Sequence, residues 1–463
     1  MADDYRVERD SIGEVRVPTD AKWAAQTQRA VENFPISGLT FDRRFIQALG
    51  VVKKGAALAN RDLGMIEPDV ADAIVGAADE VIAGEWDDHF PVDIFQTGSG
   101  TSSNMNANEV LATLATERLG QEVHPNDYVN FGQSSNDVIP TAMHVSALLA
   151  IERDVIPALE TLAAALEEKE SAFSDVVKTG RTHLQDATPV TLGQEFGGYR
   201  SQIEHGLTRV KTAREDLSEL ALGGTAVGTG LNTHPEFARR AIEYIGEETG
   251  LAVREAENHF EAQAAHDAMG HAHAALRTVA GSLNKIANDL RLLASGPRNG
   301  LGEIDQPENQ PGSSIMPGKV NPVIAEAINQ VQTQVIGNDA AIAAGAADGQ
   351  LELNLYKPVL AHNFLESARL VANGSRVFAN RFVDPLEADR AHCAEQVERS
   401  MALATALSPH VGYDRAAEIA KAALAEGTTV REVALDAGDL DAETLEEVLD
   451  PALMTSPGIL GSE

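Results

Sequence analysis

Between Met269 and Leu293, the residues Met269, Ala272, Leu276, Val279, Leu283, Ile286, Leu290 and Leu293 stand at alternating steps of three and four. That alternation keeps one apolar stripe on one side of an α-helix, and a stripe sustained for almost four heptads must be covered by other helices along its length. Three more segments share the helical period. One runs from Asn136 to about Phe173. Another begins at Thr191, with Leu192, Phe196, Tyr199, Ile203, Leu207 and Val210 on one face and with Thr191 and Gln194 suited to a capping box. The last follows Asn321 and Pro322, which suit the cap and first-turn positions. It continues through an Ala-rich, almost charge-free stretch to about Ala347, and low charge on every face predicts burial among other helices. The expected fold is therefore mainly α. A central long-helix bundle domain, 132–389, is flanked by a mixed N-terminal domain, 1–131, and a small helical C-terminal domain, 390–463.

Composition removes several functions from such a bundle. Asp and Glu number 70 against 36 Lys and Arg, a net charge of -34, so phosphate backbones are repelled and no nucleic-acid partner is expected. Only 10 of those 36 basic residues are Lys, and the acidic excess is spread along the chain, a pattern suited to a salt-rich cytoplasm where ions screen the self-repulsion. No run reaches the ~18 to 20 apolar residues of a membrane span. The opening ten residues carry neither a basic stretch nor an apolar core, so no signal peptide is expected. A single cysteine, Cys393, allows neither an internal disulfide nor a Cys-based zinc site.

Familiar chemical motifs fail. Gly98-Ser99-Gly100 continues to Ser103 where a dinucleotide fingerprint needs Gly. The stretch from Gly312 to Gly318-Lys319 is one residue too long for a phosphate loop, and Val320 stands where a hydroxyl should hold magnesium. His271 and His273 point to different sides of one helix and cannot share a metal. No His-Glu-x-x-His and no Gly-x-Ser-x-Gly occurs. What remains is three polar clusters, each ahead of a long helix: Ser134-Ser135-Asn136-Asp137, Gly180 to Asp186, and Gly312 to Asn321. Each alone reads as an ordinary cap or turn. Together, with a His and a Lys among them, they point to an anion site, because helix starts offer unpaired N–H groups and a positive dipole end.

The third cluster and its following proline, Gly-Ser-Ser-Ile-Met-Pro-Gly-Lys-Val-Asn-Pro at 312–322, resembles the signature of the fumarase/aspartase superfamily, whose members eliminate water, ammonia or an amine to leave a fumarate unit. Residues 96–108, 124–137, 180–196, 223–235, 296–322 and 410–421 resemble class II fumarases, so the likeness spans nearly the whole chain. Aspartate ammonia-lyases typically carry Gln where this chain has His183 and Ala where it has Gly318. The resemblance therefore implies reversible hydration of fumarate to (S)-malate through an aci-carboxylate, without metal or other cofactor. Ammonia-lyase activity on aspartate and a catalytically silent structural relative are the alternatives, the latter opposed by the joint presence of His183, Ser313, Lys319 and Glu326.

The resemblance also implies roles. Ser313 abstracts the C3 proton, and its oxyanion is stabilised by Lys319 and the 313–321 loop. His183 protonates the departing hydroxyl, with Glu326 as its acidic partner. Ser99, Gly100, Thr101, Ser134, Ser135, Asn136, Thr182, Ser314, Lys319, Val320 and Asn321 bind the substrate dicarboxylate. His124, Pro125, Asn126 and Asp127 match a second, non-catalytic dicarboxylate site. A helix of about 34 residues is ~50 Å long. If it ran antiparallel to the helix from Thr191, the Ser134 and His183 clusters would lie at opposite ends of one bundle. Assembly of several bundles would bring the unlike clusters together, and the resemblance implies a homotetramer whose active sites are shared between chains.

Overall fold

The stripe that begins at Met269 lies on the helix Asp267–Leu293, and Met269, Leu276, Val279, Leu283, Ile286 and Leu290 are all buried. This comes from a computed structural model that describes residues 5–461. Two compact units are present, each drawn from three stretches of sequence. The first comprises residues up to Pro157, Gly206–Ala280 and Val331–Asn373; the second comprises Ala158–His205, Gly281–Gln330 and the chain from Gly374 onward.

In the first unit an antiparallel hairpin, Tyr5–Asp10 with Gly13–Pro18, precedes the helices Arg43–Asp62, Pro68–Ala83, Thr101–Leu119 and Ser135–Ala150. The first three of these helices lie within the region expected to form a mixed N-terminal domain. Their ends obey local rules: Asp42 caps the first by accepting from Arg44 N–H, while Pro68 opens the second and Gly84, left-handed at φ 91°, closes it. The 136–173 segment is helical as expected. Ser135–Ala150 passes through a π-turn, Ile151–Val155, into Ile156–Ala172.

In the second unit the Thr191 and Gln194 cap is present in both directions. Thr191 N–H donates to Gln194 Oε1 and Gln194 N–H to Thr191 Oγ1, each at 3.0 Å, ahead of the helix Leu192–Leu217. The helix Val323–Ala347 starts one residue later than a cap at Asn321 would place it, and Asn321 Nδ2 donates to Gly312 O. A further long helix, Lys357–Phe378, belongs to the first unit up to Asn373 and is marked by no apolar stripe singled out in the sequence. Toward the C-terminus, Leu403, Leu407, Ile419, Val430, Val448 and Leu449 form a core of their own.

Three imidazoles of the first unit, His144, His266 and His273, are buried, and burial holds each below the ordinary histidine pKa. The unfolded chain therefore binds protons that the folded chain refuses. Their contribution to stability is complete above pH ~6.5 and is lost as pH falls toward the folded values, at about 1.4 kcal/mol per pH unit for each imidazole kept neutral. Urea midpoints measured from pH 8 to pH 5 should fall on the acid side, and His266→Gln should flatten that fall. Parallel curves for wild type and variant would contradict the assignment.

Candidate active site

Two helix N-termini carry hydroxyl groups that touch within the first unit. The helix Thr101–Leu119 starts behind Gly100, whose left-handed φ of 79° suits glycine, and the helix Ser135–Ala150 starts behind Ser134. Ser99 Oγ lies 2.8 Å from Thr101 Oγ1, which lies 2.7 Å from Ser135 Oγ. Hydroxyls linked across two positive helix ends suit a carboxylate. Gly98 permits the arrangement, since a Cβ there would sit 1.9 Å from the Leu355 carbonyl oxygen. Ser134 forms a reciprocal cap: Asn136 N–H donates to Ser134 Oγ at 3.2 Å and Ser134 N–H to Asp137 Oδ1 at 2.9 Å. The Ser134 hydroxyl proton stays free to donate. Asn136 Nδ2 donates to Ala226 O at 2.7 Å.

Beneath these groups Asp137 is fully buried, and its Oδ2 accepts from Gly223 N–H at 3.0 Å and Thr225 N–H at 2.9 Å. Burial pushes its carboxyl up to about 6, against the pull of those N–H donors and of Lys53. Burial likewise pushes the Lys53 and Lys357 ammonium groups down to about 7, with Asp137 opposing. Lys53 Nζ donates to Asn130 Oδ1 and Gln133 Oε1, both at 2.9 Å. In the sequence Asp137 is recognisable only as part of a helix-start cluster, and neither lysine lies in any motif.

His183 sits on a β-hairpin that no pattern in the Gly180 to Asp186 cluster announces. Val177–Thr182 and Gln185–Thr191 form an antiparallel hairpin with an irregularity at Thr179 and Gly180. His183 and Leu184 are the whole turn, both left-handed, at φ 55° and 60°. Such a two-residue turn ordinarily takes Asn or Gly, and non-glycine residues held there store strain of about 1–3 kcal/mol each. Buried charges anchor the hairpin. Glu303, 0% exposed, meets Arg181 at 2.6 Å and Lys178 at 3.1 Å, and Lys178 also meets Glu195 at 2.9 Å. Thr182, His183 and Leu184 are exposed beyond this anchor.

The loop from Gly312 to Asn321 is clasped at its neck. Gly312 N–H donates to Lys319 O at 2.8 Å and Asn321 Nδ2 donates to Gly312 O at 2.7 Å. A Cβ at Gly312 would meet that Lys319 oxygen at 2.3 Å, so only glycine closes the neck. Inside the loop Ser313 Oγ accepts two backbone N–H groups, from Met316 at 3.1 Å and Ile315 at 3.2 Å. Two donors aimed at one hydroxyl oxygen favour its oxyanion. Ser314 and Lys319 are exposed, Val320 is half-buried, and Glu326 is exposed in the first turn of the helix Val323–Ala347.

One chain brings some of these residues together and leaves others apart. Ser99, Thr101 and Ser135 meet. Among the described residues no hydrogen bond or ion pair joins His183 to Ser313, Lys319 or Glu326. His124 is turned to local use, its Nδ1 accepting from Asp127 N–H at 3.2 Å and Asn126 N–H at 3.3 Å to cap the π-turn Pro125–Val129. Clefts of about 410 Å³ beside Arg153 and Arg214 and about 430 Å³ beside His144 and Asp216 include none of the expected site residues. Among the described residues no group of three or more His, Cys, Asp or Glu is arranged around a metal position, and no helix is long and apolar enough to cross a membrane.

Known proteins match this chain from end to end. The family described as Lyase matches residues 13–337, and the family described as Fumarase C C-terminus matches residues 403–456. A class II fumarate hydratase of Halobacterium salinarum is 71% identical, with 100% of each chain covered. One from Nitrosomonas europaea is 55% identical over 98% of this chain and 99% of its own. The crystal structure of a recombinant class II fumarase from Schistosoma mansoni superimposes with a TM-score of 0.94 at 40% identity, covering 97% of this chain and 99% of that one.

Proposed function

The chain belongs to the class II fumarases of the fumarase/aspartase superfamily and hydrates fumarate, and we propose that Ser313 and His183 are its two proton-transfer groups. The observation that carries this reading is the pair of N–H groups aimed at Ser313 Oγ inside a loop that also carries Lys319. In the dehydration direction, Ser313 as an alkoxide takes the proton from C3 of (S)-malate. The electron pair left behind enters the adjacent carboxylate as an aci-carboxylate, which Lys319, Asn321 and the N–H groups around Val320 stabilise. The C2–O bond then breaks on the opposite face, and His183, as an imidazolium paired with Glu326, gives the leaving hydroxide its proton so that it departs as water. Hydration is the reverse.

Ser99, Gly100, Thr101, Ser134, Ser135 and Asn136 hold a substrate carboxylate at the paired helix ends, with Thr182 and Ser314 completing the binding set. His124, Pro125, Asn126 and Asp127 form a second dicarboxylate site. Only protein groups act in this scheme, so it needs no metal or organic cofactor.

A homotetramer with shared active sites supplies what a single chain leaves apart. The helix Val323–Ala347 supports this, for its only charges are Glu326 and Asp339 while Ile336, Gly337, Ala340, Ala343 and Ala344 are exposed in the single chain. In a chain with 23% charged residues, such a face suits burial against other copies. We assign the divisions 1–131, 132–389 and 390–463 as its domains and the cytoplasm of a halophile as its setting, the last from the net charge of -34 and the scarcity of lysine.

Purified protein in molar KCl should convert malate to fumarate, followed by ultraviolet absorbance, with the rate unchanged by a chelator and no ammonia released from aspartate. In dilute buffer, where the Debye length reaches ~30 Å at 0.01 M, the assembly should dissociate and activity should fall. Aspartate turnover comparable with malate turnover would favour the ammonia-lyase alternative. Loss of activity on chelation would defeat the metal-free scheme, and indifference to salt would remove the halophilic setting alone.

A further inference from the structure

Pro140 stands inside the helix Ser135–Ala150. It has no N–H to give the carbonyl four residues back, which is that of Asn136. A helical carbonyl deprived of its partner needs another donor. Lys357 provides it: its Nζ donates to Asn136 O at 3.0 Å, and its backbone N–H donates to Gly98 O at 3.2 Å. One fully buried residue thus grips both segments that carry the hydroxyl cluster, Gly98–Thr101 and Ser134–Asn136.

An ammonium is a costly donor for a job that any residue but proline at 140 would do with its own N–H, because desolvating a charge costs far more than desolvating an amide. Nor does Asp137 alone account for the charge. Burial pushes both ammonium groups down to about 7, and the one carboxylate beside them, Asp137, already faces Lys53, so full charging of Lys357 calls for a second anion. Lys357 Nζ lies at the helix start that would receive one, and a carboxylate bound there favours the charged form.

We propose that Lys357 is a positioning residue of the dicarboxylate site, fixing the Gly98 and Asn136 segments and setting a buried positive charge beneath the substrate carboxylate they bind. This rests on reading the Ser99, Thr101 and Ser135 cluster as a carboxylate site.

Two variants separate this role from mere filling of an orphaned acceptor. Lys357→Met removes the charge and leaves the Asn136 carbonyl unpaired. Lys357→Met combined with Pro140→Ala removes the charge but returns a helical N–H to that carbonyl. The combined variant should recover the wild-type denaturation midpoint, and it decides the question even where the single variant does not fold. With the charge gone, its KM for malate should stay raised by roughly tenfold or more while kcat stays within about threefold of wild type. A combined variant with wild-type KM would overturn the proposal and make Lys357 a structural donor only. Ser135→Ala, measured alongside, tests the underlying reading separately. A raised KM there with a normal KM in the combined variant sinks the Lys357 proposal alone. A normal KM in Ser135→Ala sinks the carboxylate site and the proposal with it.

Discussion

Ser313→Ala is expected to lower kcat for malate dehydration by about 10³-fold while leaving KM for malate within about threefold, the pattern of a group that acts only in the transition state. The expectation comes from where the hydroxyl sits. An ordinary serine is far too weak an acid to be found as an alkoxide, but Ser313 Oγ already receives the Met316 and Ile315 N–H groups. Those donors are fixed by the neck contacts of Gly312 with Lys319 and Asn321, so little reorganisation is required when charge forms. The Lys319 ammonium, on the same loop, has no partner among the described residues and adds a positive charge. Steady-state kinetics in both directions check this. A large rise in KM with kcat nearly unchanged would make Ser313 a binding hydroxyl and move the base elsewhere.

How much of this could be read from the sequence depended on whether the stabilising partners were near in the chain. The Met269 stripe was legible because a three-and-four alternation constrains the fold by itself, and the Thr191 cap because both partners lie within four residues. The polar clusters were legible for the same reason: Ser, Gly and Asn ahead of helices are local signals. The hairpin carrying His183 was not. Its turn lacks the Asn or Gly such turns normally take, and the pairing is held by Glu303, which reaches Arg181 across 122 residues. Glu303 and Lys178 are therefore invisible to any short-range pattern.

Lys357 was hidden likewise, since an isolated lysine reads as solvated, and its contact with Asn136 spans 221 residues. One signal could have exposed it. Pro140 interrupts a strongly apolar helical run without ending it, and an interior proline leaves an acceptor that something must fill. Similarly, the exposed, charge-free face of Val323–Ala347 fits the low charge noted in the sequence, while the cover proposed for it, other copies of the chain, leaves no short-range pattern.

In the proposed tetramer each active site is completed by residues of different subunits, and mixing two inactive variants puts this to the test. His183→Asn and Ser313→Ala should each be nearly inactive alone. Dissociated at low salt, combined in equal amounts and reassembled in molar KCl, they form tetramers of every composition. If His183 and Ser313 of one site come from different chains, each position is wild type half of the time, so about 25% of the sites are intact. Native mass spectrometry establishes that mixed tetramers have formed. Recovery of about a quarter of wild-type malate dehydration is expected from shared sites, whereas mixed tetramers with no recovered activity would place both residues of each site on one chain.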